Sequence, residues 1–288
     1  MKKWDIRKIR KKMVEWTQRP QNKELLFDSE VRDIQQRIQS GDPGQMVYVG
    51  ASLEFISTWE NTNGALAVLL GNPDGWRQLS KGAIYHFWGQ RIVLHFYDVD
   101  TRRPKPARES YNKGSLCFAQ LLALNYVGEA DWLGERLVRG LSDGAFIKWF
   151  PEAQFNPFMI CLHRLWKNEP PEEGLPPGTN LDAYRELLAS WHDEGDSFKK
   201  GLQQACDYHM QRIDANKDDH EFWDDVFAGF PVDILAIKRI RKLAGLETPE
   251  VSHPLMETPL ASPPEEILFV SDDLLDTVQR HLPAELIP

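Results

Sequence analysis

Apolar residues recur at spacings of three and four along most of this chain, the period of helices that bury one face. Trp4, Ile6, Ile9, Met13, Val14 and Trp16 stand among bases over 3–19, which predicts an amphipathic helix ending before Pro20. Leu26, Val31, Ile34 and Ile38 repeat the pattern up to the turn Gly41-Asp42-Pro43-Gly44, so the first two helices read as an antiparallel pair. From Gln45 to Gly71 the chain is apolar on most sides, and Gly71-Asn72-Pro73 breaks it. Asp74 is placed to cap a following helix through Trp76, Leu79, Ile84, Phe87, Trp88, Ile92, Leu94 and Phe96. The β-branched and aromatic residues of Arg91–Val99 also suit a strand. The helical spacing runs through them with only Gly82 and Gly89 as breakers, so helix is expected.

Beyond a polar connection at 100–107, further helices are expected over 109–127, 129–140 and 154–168. Gly128 falls where a left-handed cap belongs, and Asn156-Pro157 reads as a helix start. Four prolines and two glycines at 169–180 mark a linker between an N-terminal helical region, 1–168, and a C-terminal one, 181–288. The second region predicts helices from Leu181, over 195–214, over 219–228 and over 231–244, the last closed by Gly245. Residues 247–266 carry five prolines and no period and read as an extended segment, wrapped or mobile. Ser271-Asp272-Asp273 caps a terminal helix. The expected fold is all-α, a multi-helix bundle-like arrangement with room for two helical subdomains, and no fixed repeat marks a solenoid.

Composition adds stiffness and charge to this picture. Ten Trp and fourteen Phe supply broad, rigid contact area. The formal charge of −9 is uneven: residues 1–19 hold eight bases against two acids, so the remainder is more acidic than the total. Such a body repels nucleic acid and attracts basic partners, while the basic start reads as a solvated helix face or a contact for an anionic surface. Cys117, Cys161 and Cys206 are odd in number and without a CxxC, as expected for a reducing cytoplasm rather than a disulfide framework. Neither a secretory leader nor a membrane-spanning apolar run is visible, so a cytoplasmic location without membrane insertion is expected.

Candidate catalytic chemistry is sparse. His192-Asp193, with His163 upstream and Asp225 or Asp233 downstream, resembles in outline the HD-type metal phosphohydrolases, in which adjacent His and Asp ligands hold a cation that generates hydroxide. His163, His192, Asp193 and Asp225 are therefore the candidate metal ligands of that alternative. His220-Glu221-Phe222-Trp223-Asp224 has Asp224 where the HExxH zinc helix needs its second histidine. Cys206 and His209, three apart on one helix, form a possible nucleophile pair, though buried helix-interface cysteines are commoner. Phosphate loops, dinucleotide fingerprints and the G-x-S-x-G serine element are missing, so the expectation is no enzyme, no catalytic residue and no cofactor.

Charge is the stronger signal. Residues 181–225 hold twelve acids against five bases. Within them Asp218, Asp219, Glu221, Trp223, Asp224 and Asp225 set an aromatic anchor in an acidic rim, the arrangement that steers and then holds a basic protein partner. The competing structural reading is a capped helix start whose Phe222 and Trp223 enter the core. Leu181-Asp182-Ala183-Tyr184 opening a helix, a later helix ending before Leu243-Ala244-Gly245-Leu246, and the following His253-Pro254-Leu255 resemble the helical immunity proteins that bacteria keep against polymorphic or contact-delivered toxins, including those of type VI secretion. That resemblance covers residues 181–260 and implies a cytoplasmic inhibitor that binds its cognate toxin, with a nuclease effector the simplest fit to an acidic body. It implies no catalytic residues, and it leaves a homodimer open.

Overall fold

The computed structural model describes residues 4–99, 108–142, 153–214, 221–222 and 224–286. In chain order the helices are α1 (Ile6–Thr17), α2 (Pro20–Lys23), α3 (Ser29–Ser40), α4 (Met46–Leu69) and α5 (Gly75–Val99). There follow α6 (Arg108–Ala123), α7 (Val127–Ser142), α8 (Phe155–Trp166), α9 (Arg185–Ala189) and α10 (Asp196–Asp214). The last are α11 (Asp225–Gly229), α12 (Val232–Leu243) and α13 (Asp273–Arg280). Among the described residues there is no strand, so the fold is all-α, and α5 continues as helix through Val99.

The chain forms two compact units. A hairpin unit comprises residues 10–106 with 266–288, and a central unit comprises 107–265 with 1–9. The proline-rich stretch 169–180 therefore lies inside the central unit. It runs as turns between α8 and α9, whose flanks are joined by the flat stack of Phe158 on Tyr184, 3.8 Å between centroids and 4° between planes.

In the hairpin unit the two longest helices, α4 and α5, pair along their length, α3 packs on α4, and α13 packs on α3. Small residues seven apart make the pairing close: Gly50, Ser57 and Gly64 on α4, Gly75, Gly82 and Gly89 on α5. A Cβ on Gly64 would lie 2.5 Å from the Leu79 amide nitrogen, and one on Gly89 would lie 2.8 Å from the Gly50 carbonyl oxygen. The glycines that weaken these helices in isolation thus let two backbones touch. Polar groups are built into the same seam. Lys81 Nζ lies 3.1 Å from Glu60 and 3.0 Å from Asp272, which also accepts from Tyr85 Oη at 2.8 Å.

In the central unit α6 packs on α7 and α12, while α8 packs on α6, α7 and α12. Leu121, Phe158, Ile160, Phe198, Leu202, Phe230, Ile234 and Ile237 are fully buried there, each worth roughly 1.5–3 kcal/mol against exposure. The extended segment is ordered as a wrap with two 3₁₀ turns, burying Val251, Leu255 and Leu260. Trp4 belongs to this unit and donates from Nε1 to the Ala228 carbonyl at 3.2 Å.

Several caps fall where the sequence puts them. Gly41 (φ 64°) and Gly245 (φ 72°) close their helices in the left-handed region, and Asp272 caps α13 through the Leu275 amide. Others do not. The left-handed residue after α6 is Asn125 (φ 68°), not Gly128, which sits inside α7. The expected helix from Leu181 is reduced to α9 because Asn180 Oδ1 accepts from the Asp182 amide and holds a turn. Of the one expected over 219–228, the described residues are helical only in α11, which Asp224 caps.

Candidate functional site

Two kinds of acidic group separate in the central unit: carboxylates consumed inside the fold and carboxylates left on a stiff turn. The interior set starts at α8. Its first amides need an acceptor, and Gln154, at the cap position, gives none from its side chain. Glu221 supplies it from 66 residues away: its Oε1 accepts from the Phe155 amide at 2.6 Å, a carboxylate at the positive end of a helix. Tyr208 donates its hydroxyl to the other oxygen, with Arg212 Nε 3.3 Å away. Glu221 is 2% exposed, and burial raises its pKa above the usual carboxylate value despite these contacts and a further one from the Asn156 backbone.

Next to it lies a buried pair. His209 and Asp233 are both fully buried, 2.8 Å apart at Nδ1, and the Phe227 carbonyl is 2.9 Å from His209 Nε2. Each ring nitrogen thus has a polar partner inside the fold. The Phe222 ring stacks on His209 at 3.9 Å, and Tyr184 Oη lies 3.4 Å from Asp233. Cys206 is not activated as a nucleophile would be. Its thiol is buried and pushed upward by desolvation and by Asp233, the opposite of activation, and burial pushes Cys161 up to about 12.

The expected acidic rim around residues 218–225 is therefore corrected at Glu221, which points inward as the cap of α8 and offers no carboxylate to a partner. Phe222 enters the core. Asp224 and Asp225 are half-buried at the start of α11. Asp218, Asp219 and Trp223 lie outside the described residues.

The four candidate metal ligands do not converge either. His163 is buried on α8 with Nε2 3.2 Å from Asp131, and Lys167 already occupies that carboxylate at 2.5 Å. Desolvation lowers the basicity of His163. His192 and Asp193 belong to an exposed turn, and Asp225 begins α11. Among the described residues no three His, Cys, Asp or Glu side chains form a group able to hold an ion.

That exposed turn, 192–197, is the surface feature that sequence reading missed. Asp193, Glu194 and Asp196 are exposed, and no described cation forms an ion pair with any of them. The turn is fixed from below by Arg241, whose side chain is fully buried. Arg241 donates to the carbonyls of Trp191, Asp193 (3.0 Å) and Glu247, and lies 3.3 Å from Thr248 Oγ1. Its guanidinium carbon sits 3.8 Å from the Phe198 ring centroid. One cation thus pins the end of α9, the start of α10 and the chain leaving α12. Two local bonds complete it, Gly195 N to Asp193 Oδ1 at 2.8 Å and Glu247 N to Glu194 Oε1 at 2.8 Å. A sequence signal existed: Arg241 falls in register with Ile234 and Ile237 on the apolar stripe of α12.

Among the described residues no helix is long and apolar enough to cross a membrane. Comparison with family models, with curated proteins and with solved structures finds no match to this chain.

Proposed function

We propose that this chain is a binding protein that neutralises a toxin domain with a basic active surface, in the manner of the helical immunity proteins its second half resembles. The observation that carries the reading is the turn 192–197, where Asp193, Glu194 and Asp196 stand exposed and without a close ion pair on a backbone fixed by buried Arg241, whose charge also acts on Asp193 and Glu194. Holding a contact surface in one shape before encounter removes part of the ordering cost of binding. Unpaired carboxylates raise the encounter rate with a basic groove such as a nuclease uses for phosphate. The interior dyad His209–Asp233 is spent on the fold, with both ring nitrogens and the whole side chain out of reach of a substrate.

The test pairs the full chain with the toxin encoded beside it. Binding and inhibition are expected, weakening as salt rises. Exchanging Glu194 and Asp196 for lysine should slow association about tenfold or more at low salt and flatten the salt dependence, with the circular dichroism unchanged. Failure of the unaltered chain to bind or inhibit that toxin would sink the reading, and an unchanged association rate in the double variant would remove the turn from it.

A further inference from the structure

The C-terminal arm of the hairpin unit starts from a pinned residue and is held by one carboxylate. Glu265, where the central unit ends, has Arg239 and Lys242 at 2.9 Å and 3.0 Å from its side chain, and Asn125 donates to its carbonyl at 2.8 Å. Just beyond it, Ile267 and Val270 are 50% and 75% exposed, and neither makes a backbone–backbone hydrogen bond. The arm then packs on the hairpin unit. Phe269, Leu275, Val278, Leu282 and Leu286 are buried, and Phe269 lies 6.4 Å from the Tyr85 ring. Helix α13 meets α3, and the 3₁₀ turn Ala284–Leu286 meets α5. Eight residues of helix are too few to stand alone in water, so α13 exists through this docking.

The polar attachment converges on Asp272. Its carboxylate accepts from the Leu275 amide at 3.1 Å, which caps α13, accepts from Tyr85 Oη at 2.8 Å, and lies 3.0 Å from Lys81 Nζ. Burial pushes this carboxyl up, but the Leu275 amide, Tyr85 and Lys81 together hold it below its ordinary value. Lys81 sits between the rings of Phe27 and Tyr85, 5.8 Å and 5.4 Å from their centroids. Under the arm, α5 thus presents an ammonium and a phenol to one acid.

We infer that residues 266–286 form a strap that opens as one unit beyond Glu265, with Asp272 as its latch, and that the uncovered face of α5 takes an amphipathic helix with a carboxylate at its cap. The arm itself is the pattern for that occupant, since it already fills the face with such a helix. The cap, the phenol bond and the ion pair share one group, so they fail together when it lets go. The α4–α5 pairing keeps its own close seam and the Lys81–Glu60 contact, so the opening stays local.

Hydrogen exchange of the full chain, read by mass spectrometry, tests the opening. Amides of α13 should exchange together and well before those of α4 and α5. Asp272→Ala should speed the arm by about tenfold or more and Tyr85→Phe by a smaller factor, with α4 and α5 unchanged. Asp273→Ala, at the exposed first position of α13, should change it by only about twofold, the effect of a lost helix-end charge. A labelled peptide of residues 266–286 tests the uncovered face. It should bind the Asp272→Ala chain about fivefold or more tightly than the unaltered chain, whose own arm competes. A peptide carrying Asp272→Ala should lose most of that binding. Should the Asp272→Ala chain fail to fold by circular dichroism, Tyr85→Phe carries the exchange comparison and Lys81→Met the peptide one, in which the peptide's acid should no longer matter. Arm amides that exchange only together with α4 and α5 overturn the inference, as does a peptide that binds neither chain or binds equally well without its acid.

Discussion

Replacing Arg241 separates its role as a clamp from its role as mere packing. Arg241→Met keeps an unbranched chain of similar reach over the Phe198 ring but removes every donor. Three carbonyl oxygens, those of Trp191, Asp193 and Glu247, then lose their shared partner. Hydrogen bonds from a charged donor are worth about 1.5–3 kcal/mol each, but three made by one group are not additive. Asp193 and Glu247 sit at the edge, where water replaces part of the loss, whereas the bond to the Trp191 carbonyl is fully buried. A net cost of about 3 kcal/mol follows for Arg241→Met. Arg241→Lys should fall between, about 2 kcal/mol, because one ammonium lacks the planar fork that reaches several carbonyls at once. Urea unfolding of the full chain measures both. Amide hydrogen exchange supplies the sharper readout: Gly195 and Glu247, whose amides are bonded to Asp193 and Glu194, should lose protection before the core of α12 does. A Met variant within 0.5 kcal/mol of the unaltered chain, or unchanged exchange at those two amides, would show that the turn holds itself (a surface substitution has about that effect).

Other consequences follow from the same geometry. Gly64→Ala should destabilise the hairpin unit by about 1–3 kcal/mol in thermal or urea unfolding, because its Cβ meets backbone that cannot rotate away, while Gly128→Ala, with nothing within 4 Å, should stabilise by about 0.5–1 kcal/mol; equal effects at the two sites would refute the close seam. His209→Leu should cost about 3–5 kcal/mol by stranding the Asp233 carboxylate, and adding Asp233→Leu should return part of it, a coupling read from a double-mutant cycle. Desolvation pushes the Asp224 carboxyl up to about 6 from 3.8, so the folded state holds its proton longer than the unfolded one. Its contribution is present below pH 3.8 and lost as pH rises to about 6, and Asp224→Asn, which still caps α11, should gain on the unaltered chain by on the order of 2–3 kcal/mol over that interval. A pH-independent difference between the two would contradict this.

The helical class was legible because its signals are local. Periodicity, the breaks at Gly41 and Gly245, and the cap at Asp272 each act within one or two turns, and each appears where the residues place it. What the sequence concealed is held by bonds between distant residues. Nothing near Glu221 announces that it will cap a helix beginning at Phe155, and nothing near Trp191 shows that its carbonyl will rest on an arginine fifty residues on. The choice of Gly128 over Asn125 as the left-handed cap erred for a local reason, the general preference for glycine. Asn125 takes the position because the bonds Asn125 N to Leu122 O and Tyr126 N to Leu121 O close α6 there.

The same distinction changes what the acid count means. Twelve carboxylates between 181 and 225 look like one electrostatic surface, yet chain position says nothing about which way each points. Glu221 lies inside against helix amides, Asp224 spends an oxygen on α11, and Asp207 lies 3.3 Å from His253. Asp182 pairs with Arg185 and Glu186 with Lys200. Asp225 is half-buried at the start of α11, which leaves Asp193, Glu194 and Asp196 as the exposed acids of this segment, among the described side chains, that form no ion pair, on a backbone fixed by a buried cation. A partner drawn by long-range charge would meet that turn first, and meet it already in shape. The residues that interior chemistry consumed set the position of those that remain outside, so one buried arginine serves the fold and fixes the shape of the exposed acidic turn.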